Sequence, residues 1–99
     1  RASYVLVGAE GAMRETFGSA CHGAGRVMSR SAAVRSAKGR SIARELADQG
    51  VIALARDREG LAEEQPQAYK DVSLVVKAVA GAGLAKIVAR NRPLAVIKG

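Results

Sequence analysis

Cysteine, histidine and aromatic residues are scarce in this 99-residue chain, which has one cysteine, one histidine, no tryptophan, two tyrosines and one phenylalanine. The lone Cys21 excludes an internal disulfide. With a single histidine beside it, the chain cannot assemble a zinc site by itself, and a reducing compartment is the simpler expectation. At 3% aromatic content, alanine, valine and leucine have to supply the core, and each buries less area than a ring. That predicts a thin core and a piece poorly equipped to fold alone. No apolar run approaches the roughly 20 residues of a spanning helix. The N-terminus also lacks the basic, apolar and small-residue zones of a signal peptide. The expectation is a soluble, cytoplasmic protein with no membrane partner. The chain opens at Arg1, without methionine and just before an apparent strand, so a truncated boundary is a further expectation.

What is present is ordinary globular content, with 48% apolar and 25% charged residues, enough for one small domain spanning residues 1–99 and no second one. The charges are unbalanced. There are 16 lysines and arginines against 9 acids, a formal charge of +7, which favours polyanionic partners such as nucleic acid unless it is merely a basic surface.

Along the chain, Ser3 to Val7 (SYVLV) reads as a buried strand, followed by a helix over Ala9 to Phe17 in which Met13 and Phe17 share a face. SACHGAGR then forms a backbone-exposing turn. Val27 to Lys38 has helical spacing, with Arg26, Arg30 and Val34 one turn apart and one side basic. Ser41 is the expected N-cap of a helix over Ile42 to Gln49 that Gly50 ends, and Val51 to Ala55 reads as a strand. The charge-dense Arg56 to Gln67 is expected as a surface connection in which Glu63 and Glu64 offset basic charge. Asp71 should cap a helix from Val72 to about Ala80 whose Val72, Val75, Val76 and Val79 make it the main core element. The tail reads as two β segments around Asn91 to Pro93. Short alternating elements without long βαβ units predict an α+β fold, a mixed sheet with short helices.

The segment with the clearest chemistry surrounds His22. Glycines at 23 and 25 leave backbone N–H groups open to a phosphate, and Arg26 and Arg30 supply guanidinium forks that bind phosphate bidentately. Imidazoles in general are substantially uncharged near neutral pH and can form covalent intermediates. The combination is an anion site containing a nucleophile or base. The competing description is a merely packed or exposed histidine, an ordinary glycine turn and a solvated basic helix face.

CHGAGRVMSR at Cys21 to Arg30, QAYKD at Gln67 to Asp71 and the terminal VIKG at Val96 to Gly99 resemble the RtcB family of RNA-splicing ligases. The resemblance covers essentially the whole chain, and the chain corresponds to the C-terminal portion of enzymes several times longer. It implies an enzyme that joins RNA 3′-phosphate or 2′,3′-cyclic phosphate ends to 5′-hydroxyl ends, with GTP and manganese, in tRNA splicing and RNA repair. By that resemblance His22 is the nucleophile that carries GMP, and Gly23, Ala24 and Gly25 contact the nucleotide. Ser3 and Lys98 match guanine-contacting positions, and Tyr69 matches the ring beside the base. Arg26 and Arg30 would meet phosphates of GTP or RNA. The manganese ligands are implied to lie outside this chain, so no metal residue is assigned here, and Cys21 is read as a small residue shaping the loop. The implied partners are RNA, GTP and the rest of the enzyme, with an activating protein left open.

Taken one at a time, Ser3, Tyr69 and Lys98 also fit a strand-end serine, a core tyrosine and a solvated lysine. The alternative for the whole is a non-catalytic basic nucleic-acid-binding module, salt-dependent and indifferent to His22. A structural fragment that needs the rest of the enzyme to fold is a third reading.

Overall fold

The computed structural model describes residues 2–99. In chain order the elements are β1 (Ser3–Gly8), α1 (Glu10–Thr16), α2 (Arg30–Ser36), α3 (Ile42–Asp48), β2 (Ile52–Ala55) and α4 (Arg58–Glu63). A 3-10 turn (Pro66–Ala68), α5 (Val72–Gly81), β3 (Ala85–Asn91) and β4 (Ala95–Lys98) complete them. Helices and strands mixed in this way form an α+β fold. Both pairing senses occur, each in its own two-stranded sheet: β1 with β3 antiparallel and β2 with β4 parallel. The contacts divide the chain into two compact units, one of residues 1–25 and 70–92, the other of residues 26–69 and 93–99.

In the first unit β1 and β3 pair from Ser3 opposite Asn91 to Gly8 opposite Ala85, with a register shift between Val5 and Leu6. A bulge of this kind bends the strand and strengthens its twist. Helix α1 follows, and its Gly11 lies so close to the Gly83 carbonyl that a Cβ there would collide with it. The helix ends one residue earlier than the spacing predicts. Phe17 takes the left-handed C-cap conformation, and the Gly18 N–H closes onto the Ala12 carbonyl at 2.8 Å. Met13 and Phe17 therefore share no buried face and are 72% and 98% exposed.

Asp71 caps α5 as the sequence predicts, accepting from the Ser73 N–H at 2.8 Å. The expectation that α5 is the main core element is not met. Val76 alone of its four valines is buried, and Val72, Val75 and Val79 are half-buried. A helix packed on a two-stranded sheet meets a surface narrower than its own apolar stripe.

The larger apolar cluster lies in the second unit, where Ala37, Ile42, Leu46, Val51, Leu61 and Ala62 pack together with Val34, Ala53 and Val96 beside them. Leu46 is its most buried large side chain. Ser41 caps α3 as predicted, through the Arg44 N–H at 3.3 Å. The parallel pair of β2 and β4 runs from Ile52 opposite Ala95 to Ala55 opposite Lys98, and this register carries Lys98 to the end of the sheet.

Two expectations change here. The segment Arg56 to Gln67 contains a helix, α4, whose N-cap Asp57 accepts from the Gly60 N–H at 2.6 Å and whose Leu61 and Ala62 are buried. The cap and the apolar pair four residues on outweigh the charge density that suggested a surface connection. The basic helix starts three residues later than its spacing implied. Ser29 caps α2 by accepting from the Ala32 N–H at 3.1 Å, while the N–H groups of Val27 and Met28 both turn to the Ala68 carbonyl. Arg26 thus lies outside the helix and pairs instead as an isolated antiparallel bridge with Tyr69.

Candidate functional site

In the first unit, His22 and Gly23 form a bend in the segment between α1 and α2, and both are exposed. Gly25 has φ of +77°, a conformation an L side chain rarely adopts, and its carbonyl accepts from the Lys70 N–H at 3.0 Å. Gly23 has no such requirement. A Cβ at either glycine would meet nothing within 4 Å, so the space beside both is open. Ala24 is half-buried, and Cys21 is a free, exposed thiol. Ser3 starts β1, exposed, opposite Asn91. A loop of this form presents an imidazole with its backbone accessible to a bulky anion.

The second unit gathers Arg26, Glu63, Glu64, Tyr69 and Lys98 into one polar cluster. Arg26 is largely enclosed, and its guanidinium donates to the Met28 carbonyl at 3.0 Å, the Tyr69 hydroxyl at 3.1 Å and the Glu63 carbonyl at 2.6 Å. It also lies 4.9 Å from the centroid of the Tyr69 ring, within cation–π range. The Tyr69 hydroxyl donates in turn to the Glu64 carboxylate. The other carboxylate oxygen of Glu64 faces Lys98 Nζ at 3.6 Å and Arg26 Nη1 at 3.8 Å. Arg30 is exposed at the start of α2, with its Nε 3.7 Å from the Glu63 carboxylate.

These contacts shift two groups. The Tyr69 hydroxyl, helped by the Lys98 and Arg26 charges, holds the Glu64 carboxyl below the usual carboxylate range against the opposing effect of burial. The Tyr69 phenol is raised, first by its bond to Glu64 and then by burial. A carboxylate kept ionised beside a neutral phenol, an arginine and a lysine is a fixed array of donors around one acceptor.

The sequence reading identified Tyr69, Lys98 and Arg26 but not what joins them. In the sequence Glu64 offers itself only as charge compensation. Gln65 carries no polar pattern that marks it, yet it is fully buried. Its amide donates to the carbonyls of Ala33 and Ala62 and to Ser36 Oγ, and its Oε1 accepts from Arg40. A signal was available in the Asp57 cap followed by LAEEQ, which places Glu63 to Gln65 at a helix end. Among the described residues, no three histidine, cysteine, aspartate or glutamate side chains come together as metal ligands.

The sequence model of the family described as tRNA-splicing ligase RtcB matches residues 1–99. A tRNA-splicing ligase RtcB of Pyrococcus abyssi is 58% identical over 98 residues, covering 99% of this chain and 11% of the relative. The relative of the same description from Pyrococcus horikoshii is 57% identical with the same shares. That of Thermococcus kodakarensis is 55% identical over 99% of this chain and 20% of its own length. This chain belongs to the tRNA-splicing ligase RtcB family. It spans about a tenth to a fifth of the length of these curated relatives.

Proposed function

We propose that this chain is the C-terminal, histidine-bearing portion of a GTP-dependent RNA ligase. Such an enzyme joins RNA 3′-phosphate or 2′,3′-cyclic phosphate ends to 5′-hydroxyl ends, in tRNA splicing and RNA repair. The observation that carries the reading is the chain's one histidine, exposed on an open glycine bend, in a chain that matches the family over its whole length.

An imidazole nitrogen of His22 attacks the α-phosphorus of GTP, forming a phosphoramidate bond as pyrophosphate leaves. The GMP then passes to the RNA 3′-phosphate, freeing the histidine, and the 5′-hydroxyl of the second RNA displaces GMP as the new phosphodiester forms. Dividing one difficult displacement among easier ones is the advantage of the covalent route. Gly23, Ala24 and Gly25 allow the nucleotide to approach the backbone. Ser3 and Lys98 contact guanine, and Tyr69 lies beside the base. Arg30 meets phosphate from its exposed position, and Arg26 does so in addition to holding Tyr69. Manganese belongs to this reading through the rest of the enzyme, and no step here is assigned to it.

The test is a full-length ligase carrying these residues, incubated with α-labelled GTP and manganese, wild type against His22→Ala. Acid-labile label on the wild type and none on the variant is expected. An intact, metal-loaded wild type without label would leave the glycine bend as an anion-binding turn and put the basic nucleic-acid-binding module first. The 99 residues alone should stay unlabelled, since the metal ligands are assigned elsewhere.

A further inference from the structure

Glu64 stands at the centre of the second unit's polar cluster, and nothing in the proposed chemistry uses it. It follows the last residue of α4 as that helix's C-cap, and its side chain is 19% exposed. One oxygen accepts from Tyr69, which follows the 3-10 turn, and the other faces Lys98 at the end of β4 and Arg26 ahead of α2. Three stretches distant in sequence thus converge on one carboxylate.

The stem of Lys98 also has a fixed course. Its Cγ passes beside Gly60, where a Cβ would lie 3.7 Å away, and its ammonium ends at Glu64 four residues further along the chain. A lysine otherwise has four rotatable bonds to disperse its charge. The Tyr69 hydroxyl is engaged both as donor to Glu64 and as acceptor from Arg26, and Arg26 lies against the ring. These contacts set the orientation of the ring.

We infer that Glu64 is a positioning residue for purine recognition, aiming the Lys98 ammonium and orienting the Tyr69 ring so that the site takes guanine over adenine. The inference rests on the proposed nucleotide roles of Lys98 and Tyr69. The chemical reason for selectivity is that an ammonium only donates. Guanine offers the O6 and N7 acceptors along one edge, where adenine replaces O6 with an amino donor. A dispersed ammonium would lose that distinction, and a loosened ring would stack any base alike.

The experiment measures single-turnover labelling of the full-length ligase with α-labelled GTP and with α-labelled ATP, for wild type, Glu64→Gln, Lys98→Ala and the double variant. Glu64→Gln should raise the half-saturating GTP concentration about tenfold, the effect of losing one charged contact. The maximal rate should change about twofold or less, and the preference for GTP over ATP should shrink. The double variant should lose clearly less than the two single losses combined, because Glu64 acts in part through Lys98 and only its hold on Tyr69 remains once that lysine is gone. A merely structural role would lower the labelled fraction equally for both nucleotides and leave their ratio intact, and that result overturns the inference. So does an unchanged half-saturation. If Glu64→Gln does not yield folded protein, Glu64→Asp, which keeps the charge one methylene short of Lys98, carries the same comparison. Wild type that takes no label from GTP defeats the underlying reading, whereas a labelled wild type with an intact ratio in the variant defeats the positioning role alone.

Discussion

Arg26 and Tyr69, 43 residues apart, hold each other twice: the guanidinium donates to the hydroxyl at 3.1 Å and lies 4.9 Å from the ring centroid. Their backbones also meet as an antiparallel bridge. An arginine that the sequence presents as one of a pair on a basic helix face is thus part of the internal frame of its unit, while Arg30 stays outside it.

The difference should show in stability. Lysine at position 26 keeps the charge but cannot reach Met28, Glu63 and Tyr69 together, so Arg26→Lys is expected to cost about 2 kcal/mol. Arg30→Ala should change stability by about 0.5 kcal/mol or less. Urea unfolding of both variants decides it, and equal losses would contradict the framing role of Arg26.

Gln65 offers a cleaner case of buried polarity. Leucine is close to glutamine in volume but would leave the Ala33 and Ala62 carbonyls without their side-chain donor and Arg40 without its acceptor. Gln65→Leu should destabilise by roughly 2–4 kcal/mol, measured by the same unfolding. A neutral result would mean that these groups find other partners.

Gly23 and Gly25 should separate function from backbone strain. At Gly25 the left-handed φ makes Gly25→Ala cost about 1 kcal/mol or more. At Gly23 nothing lies within 4 Å of an added Cβ, so Gly23→Ala should leave stability within about 0.5 kcal/mol. It should nevertheless lower guanylylation of His22 in the full-length ligase, because a methyl group would stand where the nucleotide approaches. Undiminished labelling in that variant would place the nucleotide elsewhere.

The Glu64–Tyr69 pair links stability to pH at both ends. The folded carboxyl of Glu64 lies below its unfolded value of about 4.3. Its contribution is therefore full above that value and lost as pH falls through the folded pKa. The phenol of Tyr69 is raised above its unfolded value of about 10. Its contribution is present below that value and lost as pH rises through the folded pKa. Followed at the Tyr69 ring by NMR in the full-length ligase, Glu64→Gln should move the titration of that phenol downward and flatten the acid limb of the stability profile. A titration unmoved by the substitution would mean that the two side chains are not bonded in solution.

Much of the local structure was legible from the sequence, because it depends on neighbours along the chain. Ser41 and Asp71 announced their helices by capping chemistry, β1 by its run of β-branched and apolar residues, and the bend at His22 by its glycines. The sequence misled where two local signals competed. Ser29 had to be weighed against an arginine periodicity that began at Arg26, and the capped LAE turn of α4 against the charges around it.

By itself the sequence determined the family, the glycine turn around the one histidine and the motifs on which the resemblance rests, since each is a matter of residue type and spacing. Only the tertiary structure decided that Arg26, Glu64, Tyr69 and Lys98 form one cluster. It also decided that Gln65 is buried and that the larger apolar cluster gathers around α3 rather than α5. Those outcomes depend on a strand register and on which helix end meets which strand end, and contacts between residues tens of positions apart leave no periodicity in the sequence that forms them.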